Sequence, residues 1–352
     1  MIGILPGLGL ALLLAWLGYL FAELLGVSLM GLPRSPVSPI MMAIALGMLL
    51  RNSLGLPEWF KPGVRFSLVR VLRAGIVLLG IRLSLSEAGS IGLRSLPVII
   101  VCVSTALLLV TWVSRRLGLS ARLGTLIAAG TGICGATAIV ALAPSIDARE
   151  DETAYAVACV TLFGVAAMLV YPFAAHWLFA GDGFAAGLFL GTSVHETAQV
   201  AGAGLVYQQY FGDSQALDTA TVTKLVRNLG MLVVIPLLGF LYHRGAPGET
   251  AARPWYSMVP LFVLGFAGMS LLRTVGDIGE RPFGVLSPEQ WAGTVHLLEL
   301  AAEWCLAIAM AAVGLGTRFR DLAVIGARPL AVGLFSALLV GVVSFVLIRA
   351  LY

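Results

Sequence analysis

Residues 192 to 199 read Thr-Ser-Val-His-Glu-Thr-Ala-Gln, inside a segment otherwise built of Gly, Ala, Leu, Phe and Val. His195 has the one side chain that titrates near neutrality without help, so it suits proton coupling or anion contact. Glu196 can carry a proton or face a cation, and in apolar surroundings such a carboxyl is expensive unless it has a task or a partner. Ser193, Thr197 and Gln199 add neutral donors around the pair. Six polar residues in eight point to function more strongly than one would, although both charged groups could instead satisfy exposed backbone.

A second run, Gly132-Ile133-Cys134-Gly135-Ala136-Thr137, has the composition of an interrupted helix. If the chain unwinds at Gly132 and Gly135, the helix that restarts offers free N–H groups to an anion, and Thr137 adds a hydroxyl. The two runs together could cradle an oxyanion. Lys224 and Arg227 stand three residues apart, on one helix face. They could line an anion path, neutralise Glu196 or snorkel to an interface. His296, Glu299 and Glu303 share a face of another apolar segment, and Glu303 is expected within the membrane, where it serves coupling or pairs with an arginine. Substrate contacts are therefore expected at Gly132, Cys134, Gly135, Thr137, Ser193, His195, Thr197, Gln199, Lys224 and Arg227, and ion coupling at His195, Glu196 and Glu303. The charged run Asp147, Arg149, Glu150, Asp151 and Glu152 reads as a solvated turn.

The elements that hold these residues are membrane helices. Of 352 residues 59% are hydrophobic and 11% charged, and the mean hydropathy is +0.97; soluble domains carry about 25% charge. Cys102, Cys134, Cys159 and Cys305 stand singly, without metal-ligand spacing, so no metal and no cofactor are expected. The net charge of +4 comes from twenty Arg and two Lys gathered in loops, a pattern of topology rather than of nucleic-acid binding. Eleven hydrophobic units follow: 2 to 27, 36 to 54, 64 to 84, 91 to 116, 120 to 147, 152 to 179, 183 to 206, 216 to 243, 254 to 275, 290 to 316 and 326 to 351. Residues 1 to 352 are read as one transmembrane transporter domain. The first unit has no basic start and no cleavage signal, so it reads as a retained helix. Basic residues after units two (Arg51, Lys61, Arg65), four (Arg115, Arg116, Arg122), eight (Arg244, Arg253) and ten (Arg318, Arg320, Arg328) place those loops in the cytoplasm, with the N-terminus inside and the C-terminus outside.

Two internal similarities refine the topology. Leu79-Gly80-Ile81-Arg82-Leu83, then Gly92, Arg94 and Pro97, matches Leu315-Gly316-Thr317-Arg318-Phe319, then Gly326, Arg328 and Pro329. Gly130-Thr131, Val160-Thr161, Met168 and Pro172 match Gly191-Thr192, Val222-Thr223, Met231 and Pro236. Both agree with inverted repeats only if units five and seven are broken or re-entrant, meeting near the midplane. Glycine clusters in two corresponding, polar-interrupted segments are what a transport site looks like in sequence.

Gly132-Ile133-Cys134-Gly135-Ala136-Thr137-Ala138-Ile139, Val160-Thr161-Leu162-Phe163-Gly164, Tyr171-Pro172 and His195-Glu196-Thr197-Ala198-Gln199-Val200 resemble the signature stretches of the YeiH-type family of bacterial inner-membrane proteins, labelled sulfate exporters. The likeness covers nearly the whole chain. That family resembles the cation-proton antiporter and bile-acid transporter group, which implies inverted repeats with crossing broken helices, here in a different repeat order. The resemblance implies a secondary transporter in the inner membrane, and a homodimer at family level. The leading expectation is export of a small anion, sulfate or a related sulfur oxyanion or sulfonate, coupled to protons or sodium. A cation-proton antiporter is the alternative; an enzyme using His195 and Glu196 as acid and base ranks last, for want of a nucleophile or cofactor motif.

Overall fold

In the computed structural model the described residues are 3–25, 38–243, 260–279, 281–318, 320 and 326–352, and they form helices and turns without a strand. The helices run, in chain order, α1 (Leu5–Glu23), α2 (Pro39–Ser53), α3 (Lys61–Phe66), α4 (Leu72–Leu79), α5 (Leu85–Thr105), α6 (Thr111–Arg116), α7 (Ala121–Ala129), α8 (Ala136–Leu142), α9 (Glu150–Leu178), α10 (Gly183–Ser193), α11 (Thr197–Phe211), α12 (Gln215–Leu229), α13 (Met231–His243), α14 (Leu261–Gly276), α15 (Pro288–Gly316) and α16 (Ala327–Leu351). Wide turns at Ser67–Val71 and Ala106–Val110 join α3 to α4 and α5 to α6. Among the described residues six helices are long and apolar enough to span a membrane, with shorter apolar helices between them. Arg244 and Arg253, two of the expected cytoplasmic arginines, lie outside the described residues.

Helix starts follow from the sequence. Ser38 before Pro39, Ser120 before α7, Asp182 before α10 and Ser287 before α15 each accept a backbone N–H from the first turn of the following helix. The charged run after unit five departs from a simple solvated turn. Glu152 is buried, accepts the Arg149 N–H at 3.0 Å and pairs with the Ser120 hydroxyl, so it caps α9.

The chain forms two compact units. The first holds Met1–Ser90, Gly204–Asp218 and Leu261–Phe319; the second holds Ile91–Ala203, Thr219–Pro260 and Arg320–Tyr352. In the first, α15 packs along α2, α4 and α1. Its Gly314 and Gly47 of α2 face each other so closely that a Cβ on either would meet the opposing backbone, the small-residue contact expected between membrane helices. In the second unit α16 shows what the surrounding solvent is. Leu334, Leu338, Val342 and Val346 form an exposed aliphatic stripe, while Ser336, Val340, Gly341 and Ser344 face inward. A stripe turned outward in this way suits lipid, where it costs nothing, and leaves the serines to the interior.

Candidate functional site

The second unit contains both interrupted segments. α7 runs into a wide turn at Gly130–Cys134, where the Gly135 N–H closes on the Gly130 carbonyl at 2.8 Å. Gly135 itself sits at φ 58°, ψ −135°, and the chain restarts as α8. The second break has a different form: Val194 adopts extended backbone after α10, and α11 restarts at Thr197. Units five and seven are thus broken, as the glycine clusters and the polar run indicate.

Breaking a helix frees the carbonyls of its last turn, and in an apolar interior each needs a donor. α12 supplies them. Arg227 donates from Nε to the Gly132 carbonyl (2.6 Å), from one terminal nitrogen to Thr192 (2.7 Å), Val194 (3.1 Å) and Gly191 (3.4 Å), and from the other to Thr131. Lys224 Nζ donates to the carbonyls of Ile133 (2.9 Å), Val194 (3.2 Å) and His195. Three acceptors around one Nζ take all three N–H bonds of an ammonium, the geometry of a charged Lys224. Both side chains are 0% exposed. They do not snorkel, and they neutralise the negative ends of both first half-helices at once.

Two hydroxyl pairs fix the same turns to α16. Thr131 lies 3.1 Å from Ser336, and Thr192 lies 2.6 Å from Ser344. Ser336 already donates to the Gly333 carbonyl and Thr192 to that of Leu188, so Thr131 and Ser344 are the donors in their respective pairs. Corresponding threonines of the two breaks therefore have corresponding partners on one helix. In a double-mutant cycle Thr192→Val and Ser344→Ala are expected to couple by about 0.6 kcal/mol and by no more than about 1.7 kcal/mol. Unfolding of the four proteins in detergent measures it, and additive losses would show that the pair contributes nothing.

Glu196 bridges the two breaks. Its Oε1 accepts the Ala136 N–H at 3.1 Å, at the start of α8, and the Thr161 hydroxyl lies beside it. Its own N–H goes to Gln199 Oε1 at 3.1 Å, while Gln199 Nε2 reaches the Thr161 carbonyl at 3.3 Å. Thr197 Oγ1 lies 3.5 Å from Cys134 Sγ and accepts from Asn228 Nδ2 at 3.2 Å. Ala136, Glu196 and Thr197 are partly exposed and Thr137 is exposed, so this polar edge is reachable from outside the unit. His195 is 1% exposed, and neither ring nitrogen has a hydrogen-bond partner. Asn228 Oδ1 is likewise buried and unpaired. Ser193 turns its hydroxyl back to the Phe189 carbonyl at 2.5 Å, so its proton is committed to its own helix.

The expected site residues between Gly132 and Arg227 thus belong to one unit, and most are joined there by hydrogen bonds. Glu303 belongs to the first unit instead. Sequence reasoning missed Ser336 and Ser344, which look like ordinary small residues of a membrane helix, and it missed the half-buried pair Arg82 to Asp218 at 2.9 Å. Asp218, a lone acid nine residues before Arg227 in an apolar unit, was a usable signal.

A family model described as conserved hypothetical protein 698 matches residues 6–333. A UPF0324 membrane protein of Bacillus anthracis is 32% identical over 351 residues, 99% of this chain and 95% of that protein. One of Streptococcus pyogenes is 34% identical over 94% of this chain and 92% of its own length, and one of Bartonella henselae 33% over 98% and 92%. No solved structure matches.

Proposed function

Because the chain belongs to the UPF0324 family of membrane proteins, we propose from its geometry that it is a secondary transporter, not an enzyme, moving a small anion coupled to protons. The observation that carries this reading is the junction of two broken helices, with every carbonyl of Thr131 to Ile133 and of Gly191, Thr192, Val194 and His195 met by Lys224 or Arg227.

Charge favours an anion. Two cations outweigh two carbonyl ends worth about half a negative charge each, and the restarting ends add about half a positive charge each. With Glu196 ionised, the junction keeps an excess of about one positive charge on the same count. Protonating Glu196 raises that excess and with it the attraction for an anion, which is a coupling mechanism. The donors of Lys224 and Arg227 are engaged, so the substrate meets their field rather than their N–H bonds. Direct contacts fall to Thr137, Thr197, Cys134 and the restarting backbone near Gly135, with His195 and Asn228 behind them. A sulfur oxyanion or sulfonate suits such a set of neutral donors.

The coupling ion follows from the same geometry. Unwound carbonyls are where transporters of this general design hold sodium. Here a resident ammonium and guanidinium take that place, which argues for protons. The arginine distribution of the loops supports an inner-membrane protein with a cytoplasmic N-terminus, and the two internal similarities support inverted repeats.

In proteoliposomes, sulfate or methanesulfonate flux is expected to rise as pH falls from about 8 to about 6 and to be indifferent to replacing sodium by choline. Glu196→Gln fixes the neutral state, so flux should lose its pH dependence. Full pH dependence in that variant would remove Glu196 from coupling. Glu196, an acid between the two breaks, favours one second reading, cation-proton exchange, for which proton movement would require sodium or potassium and no anion.

A further inference from the structure

One end of the second unit carries cations that the junction does not use. α6 ends on Arg115 and Arg116, α16 has Arg328 as its second residue, and all three are exposed. The turn after α6 brings them together. Arg328 Nη1 lies 3.3 Å from where a Cβ on Gly118 would stand, and the Gly118 N–H donates to the Arg115 carbonyl at 3.1 Å. Arg116 lies over the ring of the exposed Trp112, 5.2 Å from its centroid.

These guanidinium groups lack acids. Among the described residues none of the three enters an ion pair. Two acids of the neighbouring charge run are engaged elsewhere, Asp151 with Arg149 at 2.8 Å and Glu152 as the cap of α9. Nor are the arginines needed to close a helix. The last carbonyls of α6 are met by backbone, Val113 by the Leu117 N–H and Ser114 by that of Leu119, each at 3.0 Å, and Arg115 by Gly118. Arg328 stands in the first turn of α16, which starts at Gly326 without a side-chain cap. That end of a helix carries partial positive charge, so a cation there is unfavourable and an anion stabilising.

We propose that Arg115, Arg116 and Arg328 bind the headgroup of an anionic phospholipid that carries two phosphates. Guanidinium forks match phosphate oxygens, and basic clusters between membrane helices hold such headgroups. Three cations overmatch one phosphate, whereas two phosphates bring the site near balance. Apolar surface beside the arginines selects a lipid over a free anion. Leu108 and Leu109, one turn before Trp112, are exposed, as are Leu334 and Leu338 of α16, and α16 packs against both α6 and the wide turn that precedes it. Leu334 lies about 9 Å along the helix from Arg328 at 1.5 Å per residue, beyond a headgroup layer of about 6 Å. Trp112 has the character of a residue at that boundary. The proposal stands apart from the transport reading, because its test follows bound lipid and not a flux.

The test is native mass spectrometry of the full-length protein in detergent, titrated with tetraoleoyl cardiolipin, dioleoylphosphatidylglycerol and dioleoylphosphatidylcholine. Affinity should fall in that order. Arg328→Gln is expected to weaken cardiolipin binding about fivefold, and joint replacement of Arg115, Arg116 and Arg328 by Gln about a hundredfold, with phosphatidylcholine unaffected. Arg349→Gln removes the same charge from an exposed position at the opposite end of α16 and should change nothing. Should the triple variant fail to fold, Arg328→Gln against Arg349→Gln decides. Equal losses in those two, or cardiolipin held no more tightly than phosphatidylcholine, overturns the proposal. So does displacement of cardiolipin by millimolar inorganic phosphate, which would assign the arginines to a free anion.

Discussion

Arg227→Met is expected to cost about 3 kcal/mol or more of folding stability, the largest loss of any single side-chain replacement in the second unit. The substitution keeps length and apolar character but removes the donors facing the carbonyls of Thr131, Gly132, Gly191 and Thr192 and one of the two facing that of Val194, which keeps Lys224. Five bonds at the membrane-protein average of about 0.6 kcal/mol give about 3 kcal/mol, and a buried acceptor left without any donor costs about 1–3 kcal/mol. The two routes agree because the carbonyls cannot turn to water. Arg227→Lys should fall between, since a point charge with three donors cannot span both breaks as the fork does. Unfolding in detergent reads both variants, and an Arg227→Met protein as stable as the parent would mean the breaks hold without their donors.

The reach of the sequence differs from element to element. The existence of both breaks is legible because glycine and polar clusters weaken a helix that lipid would otherwise favour, and composition alone indicates lipid as the solvent. The form of each break is not. Gly130–Cys134 widens into a turn closed by its own backbone, whereas 194 to 196 simply extends, and that choice depends on where α12 places its donors. The roles of Lys224 and Arg227 stay open in the sequence for the same reason: spacing puts them on one face, but only the fold shows that the face meets carbonyl ends instead of solvent or Glu196. Glu152 departs from the solvated reading because a charge run conceals the one member that caps a helix. Arg82, the neighbouring Gln208 and Asp218, and Glu303 come from three distant stretches, and no local pattern joins them.

Gly135→Ala is expected to abolish the proposed anion flux and to lower stability by about 3 kcal/mol, while Gly132→Ala, three residues earlier, should change stability by less than about 1 kcal/mol. Position 135 combines two penalties. Its φ of 58° with ψ of −135° is a backbone state that side chains enter at about 1–3 kcal/mol. A Cβ there would also overlap the Glu196 Cγ, driving the carboxylate from the Ala136 N–H, a charged hydrogen bond worth about 1.5–3 kcal/mol. Gly132 has neither problem, for a Cβ would first meet the Ala106 methyl at 3.4 Å, an ordinary contact. Because glycine costs about 1 kcal/mol against alanine inside a helix, Gly132→Ala could even gain slightly. Flux in proteoliposomes and unfolding in detergent separate the two variants. Equal behaviour would mean that the break at 135 is incidental, and that Glu196 owes its position to something other than the turn that receives it.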